Sequence, residues 1–169
     1  MTPQPALSVL QTTPGILRAL LAPITPEQME WQPKVDRRSI NMVLAHLHHV
    51  EVNCFRSRFT AMVNQDSPLL PSYDQLALFR SGQKFRGSSE LAAFERERGQ
   101  TLAWLEALPP AALARHGKHQ ELGQITVDEL LHEFAFHDLG HIRQIAELYR
   151  AKAFYPGMGG FQKYYEVHP

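Results

Sequence analysis

Apolar residues recur along most of this chain at the spacing that places them on one face of an α-helix, and this pattern predicts four long amphipathic helices. The helices run from about Ala6 to Leu21, from Ser39 to about Asn64, from Ser88 or Ser89 to about Leu108, and from Thr126 to Arg150. Clusters of proline, glycine and serine separate them. The sequence shows no internal repeat, no low-complexity tract and no convincing strand alternation.

Three of these helices carry local signals near their starts. Ser39 is a good N-cap for the second helix, and Thr126 with Glu129 forms a capping box at the start of the fourth. Pro14 falls inside the first helix. It implies either a kink or a restart, with Thr13 as N-cap and Pro14 at the first helical position.

The segments between the helices differ in character. A turn at Asp66 to Ser72 leads into a long, partly helical connection from Tyr73 to Gly87, whereas Ala111 to Gly123 is polar and irregular. Phe154 to Pro169, rich in glycine, proline and aromatic residues, is expected to be an ordered surface strap rather than a helix. The pattern therefore predicts one domain over residues 1–169, an all-α four-helix bundle with a long crossover connection and an ordered C-terminal tail.

Charge and cysteine content narrow the functional classes. The chain carries 17 basic and 17 acidic residues, a balance that argues against nucleic-acid binding. The densest basic stretches, Lys34 to Arg38 and Arg96 to Arg98, are expected to be solvated surface. Cys54 is the single cysteine, which excludes an intrachain disulfide. Neither a membrane-spanning run nor a signal peptide is visible, so we expect a cytoplasmic protein without a membrane partner.

Two histidines on the fourth helix carry the strongest chemical signal. His137 and His141 are four positions apart, so they lie one above the other on one helical face and can share a metal ion. That face belongs to the apolar stripe through Leu130, Phe134 and Leu148. Ordinary core histidines, each with a hydrogen-bond partner, are the alternative. A shared divalent cation satisfies both rings at once, which favours the metal interpretation.

The second helix offers a third ligand. His46 lies about 60° from the centre of the apolar stripe, taken at Val43, so its ring can face the bundle interior. His48 and His49 are turned further away and are expected on the exposed or flanking side. The remaining histidines are expected at the surface: His116, His119, His132 and His168. Three imidazoles with an open position describe a catalytic type of site for zinc or nickel.

Polar neighbours of these histidines suggest supporting roles. Glu133 and Gln144 edge towards the face of His137 and could orient an imidazole or bond a metal-bound water. An ordinary interhelical polar contact is the alternative for both. Glu51 is expected to pair with a backbone or basic group rather than to bind metal.

These motifs resemble the DinB/YfiT-like superfamily of metal-binding four-helix bundles. The resemblance is carried by Leu44-Ala45-His46-Leu47, by Glu51 and by the run from His137 to Ile145, with support from the Trp31 and Ser39 region and from Thr126 to Leu130. It implies metal ligation by His46, His137 and His141, a bundle with a crossover, and frequent homodimers. It also implies activities that include thiol-dependent transferases and hydrolases.

Two classes of function follow. The first is a divalent-metal enzyme, either a thiol S-transferase using a low-molecular-weight thiol or a hydrolase, acting on a small-molecule substrate with Glu133 as a candidate base. The substrate pocket is expected between the Asp66 to Gly87 connection and the C-terminal tail. The alternative is a non-catalytic, metal-loaded stress-response or binding protein in which the ion stabilises the core.

Overall fold

Four long helical segments dominate the computed structural model, which describes residues 5–80 and 82–169. The α-helices in this part of the chain are α1 (Pro5–Leu21), α2 (Pro26–Glu30), α3 (Ile40–Val50), α4 (Ser57–Asn64), α5 (Ala77–Arg80), α6 (Gly87–Glu106) and α7 (Val127–Ala153). A π-helical turn, Glu51–Arg56, joins α3 to α4, so these three pieces form the second long segment. Three 3-10 turns follow at Pro110–Ala114, Tyr155–Gly157 and Gly159–Tyr164.

The long helices form a bundle in which the second segment pairs most closely with the third, and the first with the fourth. α1 packs mainly against α7 and α6, and α3 packs mainly against α6 and α7. Two apolar clusters fill the interior, one around Phe55, Phe59 and Phe134 and one around Leu44, Phe94 and other buried aliphatic residues. Burial of these faces is the main force holding the helices together. The predicted four-helix bundle is confirmed.

α1 runs without a break through Pro14, so the alternative of a restart at Thr13 is wrong. Proline has no N–H to donate to the carbonyl four residues earlier, which here belongs to Leu10. Arg98 on α6 supplies the missing donor, since its Nη1 donates to the Leu10 oxygen at 3.1 Å. An interhelical hydrogen bond thus takes the place of the intrahelical one.

The second long segment begins as predicted, with the Ser39 hydroxyl accepting a hydrogen bond from the Met42 N–H. Its middle differs from a regular α-helix because the backbone widens into the π turn at Glu51–Arg56. Such turns are rare in proteins as a whole, but those that occur often lie at functional sites. Glu51 opens the turn and is fully buried. Its carboxylate pairs with Arg98, which confirms the expectation of a basic partner.

A small three-stranded sheet closes one end of the bundle, in a region expected to be irregular. β1 (Leu69–Leu70) pairs in parallel with β2 (His116–His119), and β2 pairs antiparallel with β3 (Gly123–Thr126). The sequence did not predict this sheet, which is minor beside the helices and leaves the all-α class in place. Strands this short give no readable alternation. They form because the crossover delivers β1 to an edge of the β2–β3 hairpin.

β3 leads directly into α7, whose predicted capping box is confirmed. The Thr126 hydroxyl accepts a hydrogen bond from the Glu129 N–H, and the Glu129 carboxylate accepts one from the Thr126 N–H. This fixed start sets the rotation of α7 about its axis, which decides where its histidines point.

The C-terminal tail after α7 is ordered and returns along the helix, as expected for a strap. Arg150 donates to the Glu166 carbonyl at 2.8 Å, and the His168 N–H donates to the Glu147 carboxylate at 2.7 Å. Across residues 5–80 and 82–169, no helix combines the length and the apolar character needed to cross a bilayer.

Candidate metal centre

Three histidines from two helices meet at the bundle interior. His46 on α3 is 1% exposed, and His137 and His141 on α7 are half-buried. The Nε2 atom of His137 lies 3.3 Å from the Nε2 atom of His46 and 3.2 Å from that of His141. One ligand atom from each ring lies within 4.8 Å of the others. The structure thus brings together the three residues that the sequence singled out.

The spacing of these nitrogens fits a common cation. Zinc bound to imidazole at about 2.0–2.1 Å in tetrahedral geometry separates neighbouring nitrogens by about 3.3 Å. The two measured Nε2–Nε2 distances, 3.3 and 3.2 Å, match this edge. Gln144 fixes the tautomer of one ring, because its Oε1 accepts from the His141 Nδ1–H at 2.9 Å. That bond leaves a free lone pair on the His141 Nε2, which faces the other two rings.

Hydrogen bonds among the rings cannot satisfy this cluster. His137 Nε2 has two neighbouring nitrogens but at most one proton to donate. The Nδ1 atoms of His46 and His137 are buried without a hydrogen-bond partner among the described residues. Buried Nε2 lone pairs that face one another are costly, whereas one cation would accept all three together, with the ring protons on the Nδ1 atoms. The donor set therefore fits a divalent metal better than an ordinary core.

The local environment keeps the three rings neutral, as ligation requires. Burial, reinforced by the Arg38 charge and by the other two rings, lowers the pKa of His46 to about 2. Burial, His141 and Arg98 lower the pKa of His137 to about 3. Burial also lowers the pKa of His141, although its bond to Gln144 opposes the shift. Protons therefore compete weakly for these nitrogens.

A buried ionic cluster holds α7 in place beside the site. Arg98 on α6 contacts Glu51 at 2.8 Å and Asp138 at 2.6 Å, and all three side chains are at most 1% exposed. The expectation that Arg96 to Arg98 is solvated surface is therefore wrong for Arg98. Because Arg98 also reaches the Leu10 carbonyl on α1, it ties together all four long segments. Asp138 follows His137 directly, so this clasp fixes the position of the ligand pair.

Two cavities flank the histidines. An open pocket of about 750 Å³ is lined by His137, His141 and the tail residues His168 and Pro169. A smaller one of about 160 Å³ is lined by His46 and His137 together with crossover residues such as Tyr73. The expected roles of the tail and the crossover in shaping a pocket are thus both seen, but in two different cavities.

Glu133 lines both cavities, one turn before His137 on α7. Its side chain reaches solvent, yet the protein atoms around the carboxyl desolvate it and raise its pKa, with Asp138 adding to the shift and Arg58 opposing it. A carboxylate whose pKa is raised is better suited to accept and return a proton near neutral pH.

The other histidines lie outside the cluster. His48 and His49 flank α3, where they contact Glu90 and the Tyr73 hydroxyl respectively. His132 and His168 are exposed, as expected. His119 is buried, so its predicted surface position is wrong. Its Nδ1 accepts hydrogen bonds from the Glu121 and Leu122 N–H groups, which stabilise the turn after β2, and its Nε2 lies 3.1 Å from the Arg58 guanidinium.

Cys54 also lines the smaller cavity. Burial raises the pKa of its thiol to about 11. The group is therefore protonated near neutral pH and does not supply a thiolate nucleophile.

Arginines line the larger pocket, a feature that the sequence pattern did not predict. Arg37 and Arg38, in the loop before α3, were expected to be solvated surface. Arg37 is exposed, but Arg38 is half-buried and stacks on Phe79 with 4.7 Å between its Cζ and the ring centroid. Arg143, on α7, lines the same pocket. The basic run Lys34 to Arg38 could not show that Arg143, more than a hundred positions later, lies at the same pocket.

Comparisons with known proteins agree with this architecture. The family profile of the DinB superfamily matches residues 10–145. No curated protein matches the chain. Among solved structures, the chain is similar to YfiT from Bacillus subtilis, with 23% sequence identity over 86% of this chain and 85% of that chain, and a TM-score of 0.77. That protein is described as a probable metal-dependent hydrolase with an unusual four-helix bundle topology. At this identity, the likeness establishes the fold.

Proposed function

The chain belongs to the DinB superfamily, and on this premise we propose that it is a metal-dependent hydrolase. His46, His137 and His141 would hold one divalent cation, zinc or nickel. The observation that carries the proposal is the convergence of three Nε2 atoms at the spacing of a metal coordination edge, beside an open pocket. The description of YfiT as a probable metal-dependent hydrolase adds support from a protein of the same fold.

The donor set suits catalysis more than a purely structural role. Structural zinc sites are usually closed by four protein ligands, whereas catalytic sites keep a position open. Within the described residues, the metal-ligand cluster consists of the three histidines and no fourth group. A divalent cation at such a site acts as a Lewis acid and lowers the pKa of water towards neutrality.

The protein groups around the site would have distinct tasks. Glu133 would accept a proton from the attacking water and return it to the leaving group. As the proton leaves, the water oxygen would bond to the acyl carbon of an ester or amide, and the bond to the leaving group would break as that group takes up the proton. Gln144 would hold His141 in the required tautomer through the bond to its Nδ1–H. Asp138, fixed by Arg98, would keep the α7 pair in register with His46.

The proposal is tested with 4-nitrophenyl acetate and protein loaded with zinc or nickel. We expect hydrolysis that depends on the added metal and is lost in His46→Ala. Glu133→Gln should keep the metal but lose about 10²–10⁴-fold in kcat, the usual share of a general base. His48→Ala is the matched control, because His48 sits on the same helix and pairs with Glu90 outside the cluster.

Thiol transfer, the other activity implied by the family resemblance, is separated in the same assay. If the reaction occurs only when cysteine or glutathione is added, and the acyl group is recovered on sulfur, the activity is thiol transfer rather than hydrolysis. Stoichiometric metal with neither reaction, combined with a large loss of thermal stability on metal removal, would favour the non-catalytic alternative.

A further inference from the structure

Three arginines that the proposed reaction does not use face the larger pocket. Arg37 and Arg38 reach it from the loop before α3, and Arg143 reaches it from α7. Among the residues that the structure describes, none of the three forms a salt bridge within 4.0 Å. The Arg38 side chain donates instead to the neutral Gln75 carbonyl, at 3.3 Å. Three cations at one pocket repel one another unless an anion joins them.

The remaining charges of the pocket do not neutralise this cluster. Arg150 also lines it, but its guanidinium is paired with Glu147 on the same helix, with 3.0 Å from Nη2 to Oε1. Glu133 is then the one acidic side chain among the described lining residues that is not engaged by an arginine there. The pocket side chains therefore concentrate positive charge in a chain whose overall formal charge is zero.

Arg38 is the arginine of this cluster that is half-buried and held in place. Its guanidinium lies against the Phe79 ring, so it has little freedom to turn into solvent. Its charge acts on all three imidazoles and contributes to their lowered pKa values. A fixed guanidinium can bind a carboxylate or a phosphate through two parallel hydrogen bonds.

The pocket also has apolar and open surface. Phe136 on α7 lines it and is 80% exposed. Gly140 lies between the two ligand histidines in sequence, and a Cβ atom added there would meet no other atom within 4 Å. This gap keeps the floor of the pocket open directly beside His137 and His141.

We infer that the cluster of Arg37, Arg38 and Arg143 binds an anionic group of the substrate, a carboxylate or a phosphate, while an apolar part of the substrate contacts Phe136. The inference rests on the proposed function for the position of the bond that is cleaved. The substrate class is therefore a small amphiphilic ester or amide that carries one or two negative charges away from that bond.

Binding of non-reactive probes to zinc-loaded protein tests this inference without relying on turnover. Isothermal titration calorimetry would compare benzoate, phenylphosphonate and the neutral benzamide. We expect both anions to bind about tenfold or more tightly than benzamide, because only the anions accept charge-assisted hydrogen bonds from the arginines. The order of benzoate and phenylphosphonate then distinguishes a carboxylate from a phosphate as the preferred group.

Variants locate the binding group. Arg38→Gln and Arg143→Gln should each weaken anion binding about tenfold and leave the zinc content unchanged. Arg143 is exposed, so its variant should fold even if Arg38→Gln does not. Arg96→Gln is the control, because Arg96 is an exposed arginine on α6 outside the pocket.

Equal affinities for benzoate and benzamide would overturn the inference. So would anion binding that is unchanged in both pocket variants, because the anion would then bind the zinc alone. Hydrolysis of 4-nitrophenyl acetate is recorded in parallel. Anion binding without hydrolysis would refute the proposed function and keep this site, whereas hydrolysis without arginine-dependent binding would do the reverse.

Discussion

Replacement of Arg98 by methionine is the sharpest test of how this bundle is held together. Arg98 donates to Glu51 from Nε at 3.0 Å, to Asp138 from Nη1 at 2.6 Å and from Nη2 at 3.1 Å, and to the Leu10 carbonyl at 3.1 Å. Both carboxylates are completely buried. Arg98→Met would therefore leave two buried anions without their cation and one buried carbonyl without its donor.

The size of the loss follows from these contacts. Removing one partner of a buried ion pair costs about 3–5 kcal/mol, because the remaining charge is not compensated. The Leu10 carbonyl cannot recover an intrahelical bond, since Pro14 has no N–H, and its lost hydrogen bond adds about 1 kcal/mol. We expect Arg98→Met to lower the free energy of unfolding by about 4–6 kcal/mol. That is a large share of the roughly 5–15 kcal/mol typical of a whole domain.

Urea unfolding followed by circular dichroism measures this loss. Arg18→Met is the matched control, because Arg18 pairs with Glu95 at the surface, where such pairs contribute about 0–1 kcal/mol. The triple variant Glu51→Met, Arg98→Met, Asp138→Leu should recover at least half of the loss, since the uncompensated charges are gone. A loss below about 1.5 kcal/mol for Arg98→Met, or no recovery in the triple variant, would refute this reasoning.

Three further outcomes are expected. Gly140→Ala should raise the free energy of unfolding by about 0.5–1 kcal/mol in thermal melts, because α7 gains helix propensity in free space; a loss would contradict this. Thr126→Ala should lower it by about 1 kcal/mol through the lost N-cap, whereas an unchanged melt would count against the cap. The metal-free protein should lose stability as pH falls below 6.5, the ordinary histidine pKa, because burial lowers the pKa of His46 to about 2 and that of His137 to about 3. Only the unfolded state then takes up these protons, at up to about 1.4 kcal/mol per pH unit for each ring. The free energy of unfolding should change less steeply with pH in His46→Gln, and an unchanged pH dependence would contradict this prediction.

Much of the fold could be predicted from the sequence because the signals for an α-helix lie within the helix and its caps. The apolar period of 3.6 residues and the caps at Ser39 and Thr126 placed the ends of the long segments closely. The same periodicity placed His46, His137 and His141 on the helix faces that point into the bundle. Their convergence needed only the assumption that the two helices face each other.

Features that depend on distant partners were not readable. The unbroken course of α1 through Pro14 requires a donor from Arg98, which lies 88 positions from Leu10. The burial of His119 depends on β1 reaching the hairpin edge and on Arg58 from α4. The arginine cluster joins a loop to α7. In each case a tertiary contact, rather than local propensity, decided the outcome.

Metal content is the most direct measure of the central claim that three histidines hold one divalent ion. Gently purified, untagged protein would be loaded with zinc, dialysed and submitted to elemental analysis beside His46→Ala, His137→Ala and His48→Ala. We expect about one ion per chain in the wild type and in His48→Ala, and none in His46→Ala and His137→Ala. Wild-type protein without zinc, or undiminished zinc in His46→Ala and His137→Ala, would contradict this claim.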